Sequence, residues 1–235
     1  MENIISQERM ENNKQCFISL IKKIDREGAD IEKLIRQLEN SDFFTAPASQ
    51  MYHNSCEGGL CDHSLNVYDR LVEICKNLYT TTKVVKNELT DEEEEVSVYS
   101  CPFSETTLII VALFHDFSKM NFYEKTVKNK KVYYDAGSRH DEMGNYDWEA
   151  VATYAKKEAK DRFVFGTEGQ TSEYMISRFI PLIAEESVAI INHMGGMDND
   201  SARGSNLSEI YSRYHLAVLL HTADLLATYV TETVE

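Results

Sequence analysis

Apolar positions recur at the three- and four-residue spacing of an amphipathic helix through much of this chain. Residues 11–40 carry this spacing with an interruption near Gly28, which predicts two short helices. Residues 57–79 carry it again, and a Gly-Gly turn precedes most of that stretch. Ser104 stands as an N-cap before a third apolar stretch, so both of these segments also predict helices.

The last third of the chain continues the helical pattern in three segments. Residues 172–182 and 184–196 are two helical stretches separated by Pro181. Residues 207–230 are apolar almost all round, which predicts a buried helix and the longest one in the protein.

The remaining segments have polar or alternating patterns. Residues 123–137 alternate and contain the turn pair Asn129-Lys130, which predicts a small β-hairpin. Residues 87–100 form an acidic segment that we interpret as solvated surface. A helix is expected over residues 146–160 and a short strand over residues 161–166. The predicted fold class is therefore all-α, a helical bundle with a small β-hairpin insertion.

The net charge of the chain is −15 at pH 7, and no stripe of lysine and arginine offsets it. Such a surface repels the backbone of a long nucleic acid and attracts metal cations. A small anionic substrate would then need bound metal or a local cationic pocket. The charge thus disfavours long nucleic acids as partners.

No apolar run reaches the roughly 18 residues that a membrane helix requires, so we expect no membrane partner. The N-terminus is polar and acidic, without the basic and apolar regions of a secretory signal. The five cysteines are scattered and form no paired metal-binding motif. We expect a cytoplasmic protein with reduced thiols.

Four ionisable residues lie within otherwise apolar helical stretches: His63, His115, Asp116 and Asp224. Burying such groups costs several kcal/mol unless they are paired or bound to metal. A divalent cation would satisfy all four, because it accepts imidazole nitrogen and carboxylate oxygen together. Taken singly, each has a simpler explanation, such as a hydrogen-bonded core histidine or an ion pair between Asp224 and Arg213.

Three segments, GGLCDHSLNVYDRL, LFHDFSKM and LLHTADLLATY, follow one another in an order that resembles the HD-domain metal-dependent phosphohydrolases. The ligands of that family run H…HD…D along the helices of one bundle. The resemblance covers about residues 50–230 and extends to bacterial and phage-borne members and to the HD module of a 3′→5′ exoribonuclease. It implies an HD-type domain over residues 46–235, with residues 1–45 as N-terminal helices that pack on its core.

The resemblance implies that the four residues named above hold one divalent metal ion, with Mn, Mg, Fe, Ni and Zn not distinguished. Some relatives bind a second ion through two further histidines. His193 matches one of them, and Glu168 falls where relatives carry the other. Because glutamate can bind a hard cation, a second site with a different metal preference is left open.

Asp116 and Lys119 are the expected catalytic residues. Asp116 would orient or deprotonate a metal-activated water, and Lys119 would meet a phosphate as a compact positive charge. Lys119, His53 and His140 are the expected substrate contacts. The alternatives are surface solvation for Lys119 and ordinary loop polarity for the two histidines.

These features predict a metal-dependent phosphohydrolase that acts on a small phosphorylated substrate, a nucleotide or a short oligonucleotide. The alternative is a catalytically silent module that binds or sequesters a nucleotide or a metal. A third interpretation makes the polar residues structural, in an acidic helical protein that oligomerises. A homo-oligomer is left open in each case.

Overall fold

The computed structural model describes residues 4–86, 93–197 and 206–232. Within these residues the α-helices are α1 (Gln7–Ile21), α2 (Ile31–Glu39), α3 (Gly59–Tyr79), α4 (Glu105–Phe114), α5 (Glu168–Ser177), α6 (Ala184–Ile191), α7 (Leu207–Arg213) and α8 (His215–Leu226). The strands are β1 (Thr80–Lys86), β2 (Glu93–Tyr99), β3 (Tyr123–Tyr133), β4 (Arg139–Asp141) and β5 (Gly144–Lys156). Short 3₁₀ turns cover Phe117–Lys119, Ala159–Asp161 and Gly195–Met197.

The fold is mixed rather than all-α. About 50% of the chain is helical, and 18% forms strands in two antiparallel sheets. The expectation of a helical bundle with one small hairpin is therefore wrong. Most predicted helices are present, and the error comes from two segments in which strand pairing was not anticipated.

The first sheet is a hairpin of β1 and β2, in register from Thr80 opposite Tyr99 to Lys86 opposite Glu93. Val and Thr in β1 and the alternating Val96-Ser97-Val98 of β2 suit a pleated strand. The acidic segment predicted as solvated surface thus forms β2 in its second half. Its residues 87–92 lie outside the described residues.

The second sheet has the strand order β3-β5-β4 and is antiparallel throughout. β3 continues straight through the expected turn, where Asn129 lies opposite Ala150. β5 occupies the segment predicted as a helix, and residues 162–166 form no strand. Aromatic residues explain much of this pairing, since Tyr133 lies opposite Tyr146, with ring centroids 5.6 Å apart.

The helices surround one hydrophobic core, to which α1 and α2 contribute together with α3, α4 and α8. A cluster of aromatic rings links the N-terminal helices to α4: Phe17 lies 5.0 Å from Phe43 and 5.8 Å from Phe114, measured between centroids. Phe114 in turn lies 5.4 Å from Phe117. The N-terminal helices therefore share the core that surrounds the candidate site.

The helix predicted over residues 207–230 is divided. The chain leaves helical geometry at Tyr214, with φ −118° and ψ 85°, which separates α7 from α8. α8 then ends in a π-helical turn, Ala227–Thr231, where the Glu232 amide donates to the Ala227 carbonyl at 2.9 Å. The longest described helix is α3, with 21 residues.

All five cysteines are free thiols, and Cys61 and Cys75 are buried. Among the residues described, no helix is both long enough and apolar enough to span a membrane.

Candidate metal centre

Three histidines and two aspartates converge between the helices. They come from four parts of the chain: His63 from α3, His115 and Asp116 from the end of α4, His193 from the end of α6, and Asp224 from α8. The side chains of the first four are at most 3% exposed, and that of Asp224 is 15% exposed. Ionisable groups as buried as these need partners to compensate their charge.

Short distances connect the ligand-type atoms of this cluster. His63 Nε2 lies 3.2 Å from both His115 Nε2 and Asp224 Oδ1. Asp116 bridges two histidines, with Oδ2 3.4 Å from His115 Nε2 and Oδ1 3.4 Å from His193 Nε2. Ligands that share an ion at about 2.0–2.2 Å lie about 3–4 Å from one another, as these atoms do.

Each of the three histidine rings is held by a hydrogen bond at its Nδ1 atom. His115 Nδ1 donates to the Ala112 carbonyl and His193 Nδ1 to the Ile190 carbonyl, both at 2.8 Å. His63 Nδ1 donates to the Glu232 carboxylate at 2.9 Å. Because a carbonyl oxygen can only accept, Nδ1 carries the proton and each Nε2 is directed to the centre. Histidines that bind metal are oriented by such hydrogen bonds.

Two atoms of the centre are buried without a hydrogen-bond partner among the described residues: Asp116 Oδ1 and His193 Nε2. They lie 3.4 Å apart but are not aligned for a hydrogen bond. Leaving such atoms unsatisfied is costly, and a cation satisfies both. These buried His, Asp and Glu groups could hold a metal ion.

The charges of the centre compensate one another. Burial alone would lower the pKa of His63, but the carboxylates of Glu232 and Asp224 raise this pKa to about 10. Burial would raise the pKa of Asp116, yet Lys119 and His115 hold it well below its usual range. The lowered pKa keeps Asp116 ionised, which is the form that binds a cation, whereas the raised pKa favours a protonated His63 until a bound cation displaces that proton.

Lys119 is buried beside the centre rather than solvated on the surface. Its Nζ lies 2.6 Å from Asp116 Oδ2 and 3.3 Å from Glu168 Oε1. Burial would lower the pKa of Lys119, but these two carboxylates raise it. The structure thus brings a permanently charged ammonium group to the edge of the cluster.

His193 and Glu168, the two residues expected to form a second metal site, have different surroundings. His193 is one of the three converging histidines. Glu168, at the first turn of α5, faces Lys119 and belongs to none of the metal-type groups found among the described residues. The structure thus brings His193 into the cluster and places Glu168 beside Lys119, and the second metal site stays a prediction.

The two histidines expected to contact substrate have different environments. The ring of His53 lies 4.6 Å from that of His63, and burial together with His63 lowers the pKa of His53 to about 4. His140 is exposed on β4, and its Nδ1 contacts Asn145 Oδ1 at 2.8 Å. The structure brings His53 to the centre and leaves His140 exposed on β4, away from it.

Sequence reasoning missed Glu232, which is buried and holds His63. Its Oε1, which accepts from His63, also accepts a hydrogen bond from Asn66 Nδ2 at 2.9 Å. Glu232 lies in a short polar C-terminal segment with no apolar period around it, so nothing in its local pattern marks it as buried. A search for carboxylates near the end of the last helix could have found it, because ligand histidines need an acceptor for Nδ1.

The N-terminus of α3, which carries His63, is fixed by close packing. Gly58 has φ +80°, and a Cβ on Gly59 would lie 2.0 Å from the Asn54 carbonyl oxygen. Asp62 adds a polar anchor, because it accepts hydrogen bonds from Arg9 and Asn13 of α1, each at 2.8 Å. The first helix therefore helps to position the first histidine.

Comparison of the chain with protein-family models, with curated proteins and with solved structures gave no match. The functional argument therefore depends on the residues of this chain and on their geometry.

Proposed function

We propose that this protein is a metal-dependent phosphohydrolase of the HD type, acting on a nucleotide or a short oligonucleotide. The observation that carries the proposal is the convergence of three Nε2 atoms and two aspartates, with every Nδ1 already engaged. A purely structural cluster has no need for three imidazoles held in one common orientation. The order of these residues along the chain, H…HD…D, supports the same conclusion.

His63, His115, Asp116 and Asp224 would hold one divalent ion, and His193 lies close enough to contribute to the same ion or to a second one. Imidazole suits Zn, Fe and Ni, whereas carboxylate suits Mg and Mn, so this mixed set is compatible with several metals. When bound, such an ion supplies a Lewis acid and lowers the pKa of a coordinated water towards neutrality.

Besides the metal ligands, the two side chains expected to take part in the reaction are Asp116 and Lys119. Asp116 Oδ2 is engaged by Lys119, whereas its Oδ1 has no hydrogen-bond partner among the described residues. That oxygen would contribute to holding the ion and, with its second lone pair, could orient the attacking water by accepting a hydrogen bond. Lys119 keeps its charge in a buried setting, where it stabilises negative charge on a phosphoryl oxygen more strongly than a solvated lysine would.

The experiment is metal analysis of the purified protein combined with turnover of a nucleotide and dinucleotide panel. We expect one or two divalent ions in the wild type and metal-dependent release of phosphate or nucleoside monophosphate. His115→Ala and Asp116→Ala should lose metal and reduce turnover at least about a hundredfold, because each removes a shared ligand. His215→Gln, an exposed histidine outside the centre, is the matched control.

Two outcomes would contradict the proposal. If the protein takes up no metal when Mn²⁺, Mg²⁺, Fe²⁺, Ni²⁺ and Zn²⁺ are supplied, the centre is structural. If metal and nucleotide both bind but no product forms over long incubation, the protein is a sequestering module rather than an enzyme.

A further inference from the structure

A cleft of about 950 Å³ lies beside the metal centre. Its walls are the second sheet and the segment before α3, and it borders the centre through two residues, His53 and Glu232. Both contact His63: the ring of His53 lies 4.6 Å from that of His63, and Glu232 accepts a hydrogen bond from His63 Nδ1. The cleft is therefore adjacent to the centre rather than part of it, and its size is at the upper end of small-molecule sites.

The cleft has a cationic wall in a chain whose net charge is −15. Lys125, Lys128 and Lys130 of β3 all line it. Lys125 is paired with Glu57 at 2.8 Å, whereas Lys128 and Lys130 have no ion-pair partner within the described parts of the chain. Glu149 lies opposite Lys130 on β5, but neither lysine is held in an ion pair by the described residues, so both can turn towards an anion in the cleft.

The spacing of these two lysines suits two successive phosphates. Lys128 and Lys130 are two residues apart on one strand, so their side chains leave the same side of β3 about 7 Å apart. This distance is comparable with the separation of neighbouring phosphates along a single nucleic-acid strand.

Aromatic side chains complete the cleft. Tyr52 and Tyr229 line it and are 81% and 61% exposed, and Tyr154 of β5 lines it as well. Sites for single-stranded nucleic acids combine a cationic track for the backbone with aromatic rings on which bases stack. Exposed tyrosines beside unpaired lysines provide both elements.

We propose that this cleft binds the flanking nucleotides of a short single-stranded oligonucleotide, with Lys128 and Lys130 on successive backbone phosphates and the tyrosines against the bases. This inference deepens the proposed function and rests on it, because the phosphate to be cleaved lies at the adjacent metal centre. The net charge of −15 disfavours a longer strand.

There is a competing explanation for the lysines. β3 is an edge strand of its sheet, and edge strands often carry lysine because its charge prevents pairing with another molecule. That role requires no ligand. If the lysines only protect the edge of the sheet, neutralising them should cause self-association. If the cleft binds an oligonucleotide, neutralising them should reduce that binding.

The test compares wild type with the double variant Lys128→Gln/Lys130→Gln. The probe is a fluorescein-labelled oligothymidylate of about five residues carrying non-hydrolysable linkages, and its binding is followed by fluorescence anisotropy against salt. Loss of two phosphate contacts should reduce the slope of log K against log salt by about 1.4. Affinity at low salt should accordingly fall roughly 50-fold, and the two proteins should converge near 1 M salt.

Lys160→Gln is the matched control, because Lys160 is an exposed lysine outside the cleft and should leave binding unchanged. Urea unfolding and light scattering of the double variant check folding and self-association. An unchanged salt slope would overturn the proposal. Self-association of the double variant with unchanged affinity would assign the lysines to edge protection instead.

A second readout separates this proposal from the proposed function. Hydrolysis of bis-p-nitrophenyl phosphate, which is too small to reach the lysines, reports on the metal centre alone and should be equal in wild type and the double variant. Lysine-dependent oligonucleotide binding without any hydrolysis would refute the enzyme and retain the cleft as a binding site. Hydrolysis without lysine-dependent binding would refute only the cleft.

Discussion

Glu232 and His63 form a buried pair whose geometry determines where His63 Nε2 is directed. The carboxylate accepts from Nδ1 at 2.9 Å and also from Asn66. With both contacts made, the imidazole cannot turn about its Cβ–Cγ bond without losing a charge-assisted hydrogen bond. The carboxylate also makes the ring a stronger metal ligand.

The variant Glu232→Gln should therefore weaken metal binding about 10- to 100-fold, because the amide retains an acceptor but removes the charge behind His63. Metal affinity is measured by competition with a coloured chelator at fixed pH. Glu158→Gln, an exposed glutamate, should leave the affinity unchanged. Equal affinities in the wild type and Glu232→Gln would show that Glu232 does not tune the centre.

Individual residues of the centre stand out in the sequence because they are ionisable while the residues around them are apolar. His63, His115 and Asp224 are ionisable groups in apolar helical stretches, where burial demands compensation. Glu232 does not stand out in this way, because its neighbours in the sequence are polar and do not mark it as buried. Its burial depends on where the chain turns after α8, which no local pattern encodes.

At the scale of elements, α3 begins at a point of very close approach. Gly59 packs against the backbone of the preceding segment, with the Asn54 carbonyl oxygen and the Ala48 amide nitrogen both near the position of a Cβ. The start of the helix that carries His63 is thereby fixed against residues 48–54. Any side chain at Gly59 must push this backbone away.

Gly59→Ala should lower the free energy of unfolding by about 1–3 kcal/mol or more, since the added methyl group meets backbone rather than a flexible side chain. It should also weaken metal binding, because α3 shifts. Urea unfolding monitored by circular dichroism gives the first quantity. Gly196→Ala is the control, since a Cβ there meets nothing within 4 Å. Equal stability of the two variants would contradict the close-packing argument.

Helices were predictable because their period is local, and all six of the segments expected from this period contain helices. β5 was not, because its residues include Ala, Glu and Lys, which are common in helices. Its strand conformation depends on pairing with β3, some 20 residues away in sequence. At Asn129-Lys130 a turn was expected because this pair is typical of turns, but both residues lie within the paired strand β3.

For the molecule as a whole, the metal centre joins segments that lie far apart in sequence, from His63 to Asp224. An ion held by this cluster would connect α3, α4, α6 and α8 through direct bonds. Folding and metal binding are then linked, since the unfolded chain cannot offer these ligands together.

Removing metal with EDTA should lower the melting temperature. At a free metal concentration about 1,000 times Kd, binding contributes about 4 kcal/mol, which corresponds to roughly 8–16 °C for a domain of this size. Thermal unfolding with and without EDTA measures the shift. His115→Ala should show a much smaller response, and a shift of equal size in that variant would mean that the stabilising ion binds elsewhere.

The π-helical turn at Ala227–Thr231 limits the insertions and deletions that this part of the chain can accept. It contains one residue more per turn than an α-helix would, and Glu232 reaches His63 directly after it. Deleting one residue there would rotate everything that follows by about 100° and direct Glu232 away. The segment between Asp224 and Glu232 is therefore constrained in length more than in composition.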